Sequence, residues 1–459
     1  MEPISGSPVR SSEQLIPGGA EEDRISALDD DLLLLVLARL GCVGAAARTG
    51  ALARRWRGLW ASLLHIVSRD VPLPSLEVAL SRISRPPPGL SIFDIHVPDK
   101  KPRPDAAGVT SLLGAAALLE PKEIVFELPS RMVRSSPMFF LQLPADVKFP
   151  ALQALSLSGC HVRFDSLLPW CPRLRVLRVK FNDHGNHEDI KTFMSIHSAS
   201  LEEPFVEAMT VSVDAVDLVV PELKQLTVSL KAYREVNISI SAPKVEELSW
   251  QWSYAFIQFG LWRIANLRLE IEEGQRELAS LEIHARITSS TIHGEVEIST
   301  KEIEKHLIAR VAVLDLYLKT KGHAFGAFVF HLLGMNPLIT GTRRLGVFLQ
   351  RSSFKRECPL DCACDHPDWR TQSVSLDALE EVEIYGIEGY DHEIDFLNLV
   401  FKCAPILKRM IVVLSHEVSS PDARCIEINN IFRAYLSVEC YLYIAQVRLM
   451  HGSNYFSST

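Results

Sequence analysis

The chain has 459 residues, a net charge of −8, 47% hydrophobic residues and 23% charged residues. This composition is typical of a globular protein with enough apolar side chains for a large core. The negative charge disfavours general binding to nucleic acids or anionic membranes and favours other proteins as partners. By length the chain could hold about three average domains, unless a repeat array makes one long body.

The first segment, residues 1–22, is rich in Ser, Gly and Glu, and we expect a disordered tail there. It lacks the apolar core of a signal peptide, and no apolar run approaches the roughly 18 residues of a membrane span. Nine cysteines, mostly scattered, favour reduced thiols over a disulfide framework. We therefore expect a cytoplasmic or nuclear protein that binds no membrane.

Residues 23–63 have the pattern of a small helical docking module. Three aspartates, residues 29–31, precede a Leu-rich run at 32–40, where carboxylates suit the positive end of a helix dipole. A helix through this run would be apolar in every direction, so we expect it to be buried on all sides. A second apolar stripe follows at helical spacing, formed by Leu52, Trp56, Leu59 and Trp60. A piece this small needs the rest of the chain or another protein for stability.

This module resembles an F-box, whose pattern runs Leu-Pro, an acidic pair, a Leu-rich helix and Leu-x-x-Arg-Trp-x-x-Leu-Trp. The resemblance implies three helices that bind a Skp-type adaptor, which tethers the protein to a cullin ubiquitin ligase. Three departures bear on adaptor affinity: Asp29 replaces a proline, Gly41 and Gly44 lie in a turn that usually contains Pro and Asp, and Gly50 interrupts the second helix. The adaptor-binding residues that the resemblance implies are Leu28, Leu32, Leu33, Val36, Leu37, Leu40, Leu52, Trp56, Leu59 and Trp60. Most of the binding energy is expected from Leu32, Val36, Leu40, Trp56 and Trp60.

After this module the phrase Pro-x-Leu-x-x-Leu-x-Leu recurs with small variations. Its copies begin at Pro150, Pro172, Pro221, Pro243 and Pro405. The steps from Leu152 to Leu174 and from Leu223 to Val245 are 22 residues each, within the ~20–29 residues of a leucine-rich repeat. We expect each phrase to form a short strand with its Leu positions inward, and one degenerate copy between Leu174 and Leu223.

Longer units follow toward the C-terminus. Residues 314–318 alternate as a strand, 323–333 have helical spacing, and 345–349 alternate again. The cycle repeats at 382–385, 391–403 and 410–414. Strand, crossover and strand in series predict an α/β fold, an irregular leucine-rich-repeat solenoid with parallel strands and outer helices.

The rear of the chain is similar to a second family region. EEVEIYGIEGYDHEIDFLNLVFKCAPILKRMIVVLS, within 358–415, resembles the FBD region that ends many plant F-box proteins. VLDLYLKTKGHAFGAFVFHLLGMNP at 313–337 and IFRAYLSVECYLY at 431–443 are similar to its grass members. The resemblance divides the chain into a tail (1–22), an F-box (23–63), a leucine-rich-repeat solenoid (64–357), an FBD region with the last repeats (358–415) and a C-terminal segment (416–459).

The function implied by the resemblance is a non-catalytic substrate-recognition subunit of an SCF (cullin-type) ubiquitin ligase. The alternative is a leucine-rich-repeat interaction scaffold that no longer engages the ligase. A third hypothesis is a small-molecule receptor in which a ligand completes the recognition face. Adaptor binding separates the first two, and a specific thermal shift from a compound screen would indicate the third.

Side chains that alternate with the inward Leu positions point to the opposite face of the sheet, which we predict to contact an unknown protein substrate. Their charge changes from positive to negative along the chain, which fits a protein or peptide better than a polyanion. The expected target-facing residues include Arg178, Lys180, Gln225, Glu247, Gln251, Glu383 and Tyr385.

Other candidate chemistry has simpler explanations. The cluster Cys358, Cys362, Cys364 and His366 could hold zinc, but structural zinc sites usually pair two knuckles across a longer loop, so we expect a surface loop without stoichiometric zinc. Asp391, His392 and Glu393 suit the first turn of a helix better than an acid–base cluster.

The sequence offers no enzyme motif. Arg54, Arg55 and Arg57, near Trp56, fit a solvated helix face better than a nucleic-acid surface. No phosphate-binding loop, Gly-x-Ser-x-Gly elbow or His-Glu-x-x-His helix occurs. We therefore expect no catalytic residues, no metal and no cofactor.

Overall fold

A computed structural model gives the fold of the chain. It describes residues 25, 28–69, 71–83, 89–97, 105–128, 140–141, 147–181, 193–232, 236–259, 262–274, 277–289, 303, 305–306, 311–320, 325–335, 341–350, 367–371, 374–415 and 423–444. The α-helices among them are α1 (Asp30–Arg39), α2 (Val43–Arg48), α3 (Leu73–Leu80), α4 (Ala106–Ala117), α5 (Phe164–Leu167), α6 (Gly326–Met335), α7 (Asp391–Cys403) and α8 (Ala423–Ala434). Short 3₁₀ helices span Thr49–Ala51, Arg54–Trp56, Leu59–Ser62, Leu168–Trp170 and Pro367–Thr371.

The strands are β1 (His65–Ser68), β2 (Ile92–His96), β3 (Glu123–Glu127), β4 (Ala154–Ser158), β5 (Val176–Lys180), β6 (Phe193–His197), β7 (Glu203–Ser212), β8 (Ala215–Val219), β9 (Gln225–Ala232), β10 (Asn237–Ser241), β11 (Glu247–Phe259), β12 (Trp262–Gly274), β13 (Glu277–Ser289), β14 (Val313–Lys319), β15 (Arg344–Gln350), β16 (Glu381–Ile387), β17 (Arg409–Leu414) and β18 (Glu439–Ile444).

Fifteen of these strands form one long sheet in the order β1-β2-β3-β4-β5-β7-β9-β11-β12-β13-β14-β15-β16-β17-β18. All neighbouring pairs in it are parallel except β11 with β12 and β12 with β13. The α/β class, with a long and mainly parallel sheet, is therefore confirmed. No helix in the part of the chain that the structure describes is long and apolar enough to cross a bilayer.

Each recurring Leu phrase places its apolar positions on one face of this sheet, which packs on the core. Leu155 of β4 lies opposite Leu177 of β5, and Leu226 of β9 lies opposite Leu248 of β11, all of them buried. The expected degenerate copy is β7, which pairs with β5 on one side and β9 on the other. The later strand and helix predictions are confirmed by β14, α6, β15, β16, α7 and β17.

The middle of the sheet differs from the prediction. Strands β11, β12 and β13 have 13 residues each and form an antiparallel meander, where only parallel strands were expected. Two reversals return the chain to its first direction, so β13 pairs in parallel with β14. Trp250, Leu269 and Ile283 keep the core face continuous across the meander.

The outer side of the repeats also contains an unexpected element. Strands β6, β8 and β10 form a separate parallel sheet of three strands from segments that return the chain between main-sheet strands. Met194 and Leu218 of this small sheet are buried in the common core, as are Leu112 of α4 and Phe328 of α6. Helices and the small sheet together cover one face of the main sheet. The opposite face, which we name the open face, carries the alternating polar residues.

Candidate functional site

The N-terminal helix α1 begins at an acidic cap. The Asp29 side chain accepts a hydrogen bond of 2.8 Å from the backbone N–H of Leu32, which satisfies one of the free donors of the first turn. Next to it, the Arg55 guanidinium donates to the Asp30 carboxylate at 2.8 Å and ties the following segment to the start of the helix. A proline at position 29 could not supply this side-chain cap.

Within the chain, helix α1 is buried on one side only. Leu33 and Leu37 are 0% and 1% exposed and pack with Ala46, Trp56 and Leu63 in a small core of their own. The expectation of burial on all sides is therefore wrong for the chain alone. Three apolar side chains of α1 and that of its C-cap Leu40 remain about half exposed: Leu32 at 45%, Leu35 at 61%, Val36 at 42% and Leu40 at 43%. We call these four residues the α1 surface.

The ten predicted adaptor-binding residues fall into three groups in the structure. Leu33, Leu37 and Trp56 are inside the small core, so their side chains support the module and do not form its surface. Leu28, Leu59 and Trp60 are partly buried against that core. The exposed members are Leu32, Val36, Leu40 and Leu52. Leu35 was missed because it lies outside the matched family positions.

The expected second helical stripe is absent from residues 49–62. Three short 3₁₀ helices occupy this range, and Ala53 between two of them is extended, with φ −153°. Gly58 has φ +81°, a left-handed conformation that glycine adopts without steric cost. As a result Trp56 points into the small core, whereas Leu52 is 77% exposed.

A groove of about 750 Å³ lies between α1 and the start of the main sheet. Leu34, Leu35 and Ala38 line it from the helix, and Leu64 and Val67 line it from the β1 side. The α1 surface and this groove together form an apolar patch that flanks the buried Leu33 and Leu37. Patches of this kind on a folded chain mark interaction sites.

The predicted target-facing residues lie on strands of the main sheet, at positions that alternate with the buried ones. Some are engaged with neighbours: Lys180 contacts Glu207 at 3.2 Å, and Gln251 donates to Glu270 at 3.2 Å. The Tyr385 hydroxyl donates to Glu383 at 3.2 Å. Arg178 on β5 is exposed, as is Gln225 on β9.

Four rings form a stack across strands β13 to β16 on the open face. His284, Tyr317, Phe348 and Tyr385 are cross-strand neighbours with centroid separations of 4.4, 4.6 and 4.9 Å and interplanar angles of 6°, 10° and 13°. We call these four residues the aromatic ladder. Only Tyr385 belonged to the predicted face, because the Pro-x-Leu register does not extend through the meander.

An acidic row runs beside the ladder, formed by Glu270, Glu282, Asp315 and Glu383. Arg268 contacts Glu270, and Arg344 lies 3.5 Å from Glu383, so part of this charge is neutralised. Burial raises the pKa of Glu270 and of Asp315, and the neighbouring Glu282 raises both further. Glu270, Glu282 and His284 also have potential metal-ligand atoms within 4.8 Å of one another, but Arg268 already occupies this cluster with an opposite charge.

Glu393 has a structural role. Its buried carboxylate accepts hydrogen bonds from the backbone N–H groups of Glu388, Gly389 and Tyr390 at 2.9, 2.7 and 3.0 Å. This arrangement caps the N-terminus of α7, which confirms the interpretation of these residues as the first turn of a helix. The Cys358, Cys362, Cys364 and His366 cluster lies outside the described residues.

Comparisons with known proteins add no family assignment. No protein-family model, curated protein or solved structure matches the chain.

Proposed function

We propose that the chain is the substrate-recognition subunit of a cullin-type ubiquitin ligase. In this proposal residues 23–63 act as an F-box whose α1 surface and adjoining groove bind a Skp-type adaptor. The irregular leucine-rich-repeat body then selects a target protein with its open face, in the cytoplasm or nucleus. The protein itself catalyses no reaction.

One observation carries this proposal: α1 has aliphatic side chains in several directions, but its own chain buries only the side of Leu33 and Leu37. Full burial of a Leu or Val side chain stabilises by roughly 1.5–3 kcal/mol, so covering four half-exposed ones supplies roughly 4 kcal/mol. A micromolar complex needs about 8 kcal/mol. The adjoining groove of about 750 Å³ offers the further apolar contact that such a complex needs.

Trp56 and the buried leucines support this role from inside the module. They hold α1 against the following segment, together with the Arg55–Asp30 ion pair. A preformed surface loses less conformational entropy on binding than a flexible one. The energetic contribution of Trp56 is therefore indirect, in contrast to that of Leu32, Val36 and Leu40.

Co-expression with a Skp-type adaptor and affinity purification test the proposal. Wild-type protein is expected to retain the adaptor, whereas the double variant Leu32→Ala and Val36→Ala is expected to bind about 30-fold more weakly, from a loss of about 2 kcal/mol. The matched control removes two other exposed leucines, Leu118 and Leu436, which are 81% and 91% exposed and belong neither to the α1 surface nor to the groove lining. Equal loss in both double variants, or no adaptor with the wild type, would refute the proposal.

The alternative is a leucine-rich-repeat scaffold that does not engage the ligase. The replacement of an expected helix by three 3₁₀ helices at residues 49–62 favours it. A pull-down with the purified adaptor alone distinguishes the two functions, since a scaffold would not retain the adaptor.

A further inference from the structure

A cavity of about 360 Å³ lies on the open face, at the edge of the aromatic ladder. Its lining includes the four ladder residues, together with Arg286 and Lys319. Arg286 lies two residues beyond His284 on β13, and Lys319 lies two residues beyond Tyr317 on β14. Because side chains alternate along a strand, both cations share the open face with the ladder.

These two cations lack partners in the part of the chain that the structure describes. Arg286 and Lys319 are direct cross-strand neighbours. The Nε atom of Arg286 is buried and has no hydrogen-bond partner there, and Lys319 forms no ion pair among the described residues. Like charges on opposite positions of neighbouring strands repel each other, so an anion between them would relieve this repulsion.

The ladder separates these two cations from the acidic row, because on β13 and β14 the row lies two residues before the rings and the cations lie two residues after them. Its rings stack nearly parallel at 4.4–4.9 Å, so neighbouring rings cover each other's faces. Ring edges carry a partial positive charge, whereas a cation would need an open ring face. The cavity therefore presents ring edges and two unpaired cations to a ligand.

The length of the ladder fits an extended polypeptide. Four neighbouring strands at about 4.8 Å spacing span roughly 14 Å, which about four residues of extended chain cover. The cavity lies on the face that the proposed function assigns to the target protein. Apolar side chains can lie along the ring edges on either side of an acidic group.

We propose that this cavity binds an extended acidic segment of the target, with an Asp or Glu carboxylate between Arg286 and Lys319 and apolar side chains along the aromatic ladder. This inference rests on the proposed function of the open face. It assigns the substrate class of that face as a short acidic peptide with apolar flanks.

Selection from a displayed random hexapeptide library on the full-length chain tests the inference. We expect enrichment of Asp or Glu flanked by apolar residues, and binding of a selected peptide measured by fluorescence anisotropy. The double variant Arg286→Gln and Lys319→Gln is expected to bind this peptide at least tenfold more weakly, as is a peptide with Gln in place of its acidic residue. The matched control, Lys402→Gln with Arg433→Gln, removes two exposed cations from helices α7 and α8, which do not lie on the open face, and is expected to bind normally.

A second variant guards against an effect on folding. Gln350→Glu adds a negative charge at an exposed position beside Lys319 and is expected to weaken binding without removing either cation. Enrichment of basic or neutral peptides, or equal binding by the Arg286/Lys319 variant and the control, would overturn the inference. Binding of 3-phenylpropionate to the wild type without any acidic peptide enrichment would also overturn it, in favour of a small organic acid. Failure of the adaptor to bind would refute the proposed function while leaving the peptide result intact.

Discussion

Lowering the pH from about 7.5 to about 5 is expected to destabilise the protein through His306. This side chain is fully buried against Trp250, Trp252 and Tyr254. The indole N–H of Trp250 donates to His306 Nδ1 at 3.3 Å, so Nε2 carries the proton of the neutral ring and donates to the Tyr254 hydroxyl at 2.7 Å. If Nδ1 were protonated, its N–H would face the indole N–H of Trp250, so two hydrogen-bond donors would repel each other.

Burial, with a smaller contribution from Lys305, lowers the pKa of His306 from 6.5 to about 3. Between these values the unfolded chain binds a proton that the folded protein excludes, so stability falls as the pH falls through this window. At pH 5, about 1.5 units below the unfolded pKa, the loss is about 2 kcal/mol, since one unit corresponds to about 1.4 kcal/mol.

Urea unfolding of the wild type and of His306→Gln, followed by tryptophan fluorescence at both pH values, measures this loss. The variant is expected to be less stable than the wild type at pH 7.5, but it has no histidine to protonate at position 306. The difference in the free energy of unfolding between the two proteins is therefore expected to shrink by about 2 kcal/mol at pH 5. His65→Gln removes an exposed histidine and is expected to retain the wild-type pH response. A difference that is independent of pH would refute the assignment of this effect to His306.

Two further substitutions test how local contacts hold the fold. Glu393→Gln removes the charge from a carboxylate that accepts hydrogen bonds from three backbone N–H groups. We expect the free energy of unfolding to fall by about 1–3 kcal/mol. The control Asp391→Asn changes an exposed carboxylate in the same turn and is expected to cost about 0.3 kcal/mol. Gly346→Ala places a Cβ against the Asp315 carboxylate and the Phe348 ring. We expect the free energy of unfolding, measured by thermal denaturation, to fall by about 1–3 kcal/mol and the Phe348 ring to shift within the aromatic ladder. Gly274→Ala is its control, because a Cβ there has no atom within 4 Å, and equal effects of both alanines would contradict the steric explanation.

The strands that follow the Pro-x-Leu-x-x-Leu-x-Leu phrase can be predicted, because this phrase shows both the two-residue alternation of a strand and which of its side chains are buried. Leu155 and Leu177 each occupy the same place in the phrase, and the sheet aligns them directly. The same alternation predicts which side chains face outward, such as Arg178 and Glu383. The meander was not predicted, since β12 and β13 alternate without the Pro-x-Leu phrase that precedes β11, and alternation alone does not give strand direction.

Burial within residues 28–63 could not be predicted from residue type. Leu33 and Leu37 are buried, while Leu32 and Val36 on the next face of the same helix are half exposed, and all four are aliphatic. Which face of α1 is buried depends on where residues 43–63 pack against the helix, and the residue types of α1 do not give that position. Gly58 was a readable signal for a break in the second stripe, because glycine is the residue that takes a left-handed turn most readily.

Isothermal titration of the purified chain with a purified Skp-type adaptor measures directly whether another protein covers the half-exposed side of α1. We expect a micromolar or tighter complex with a negative change in heat capacity, since apolar surface is buried on association. The variant with Ala at positions 32 and 36 is expected to lose about 2 kcal/mol of that affinity. No heat and no complex at about 100 μM of both proteins would contradict the proposed binding of an adaptor to α1.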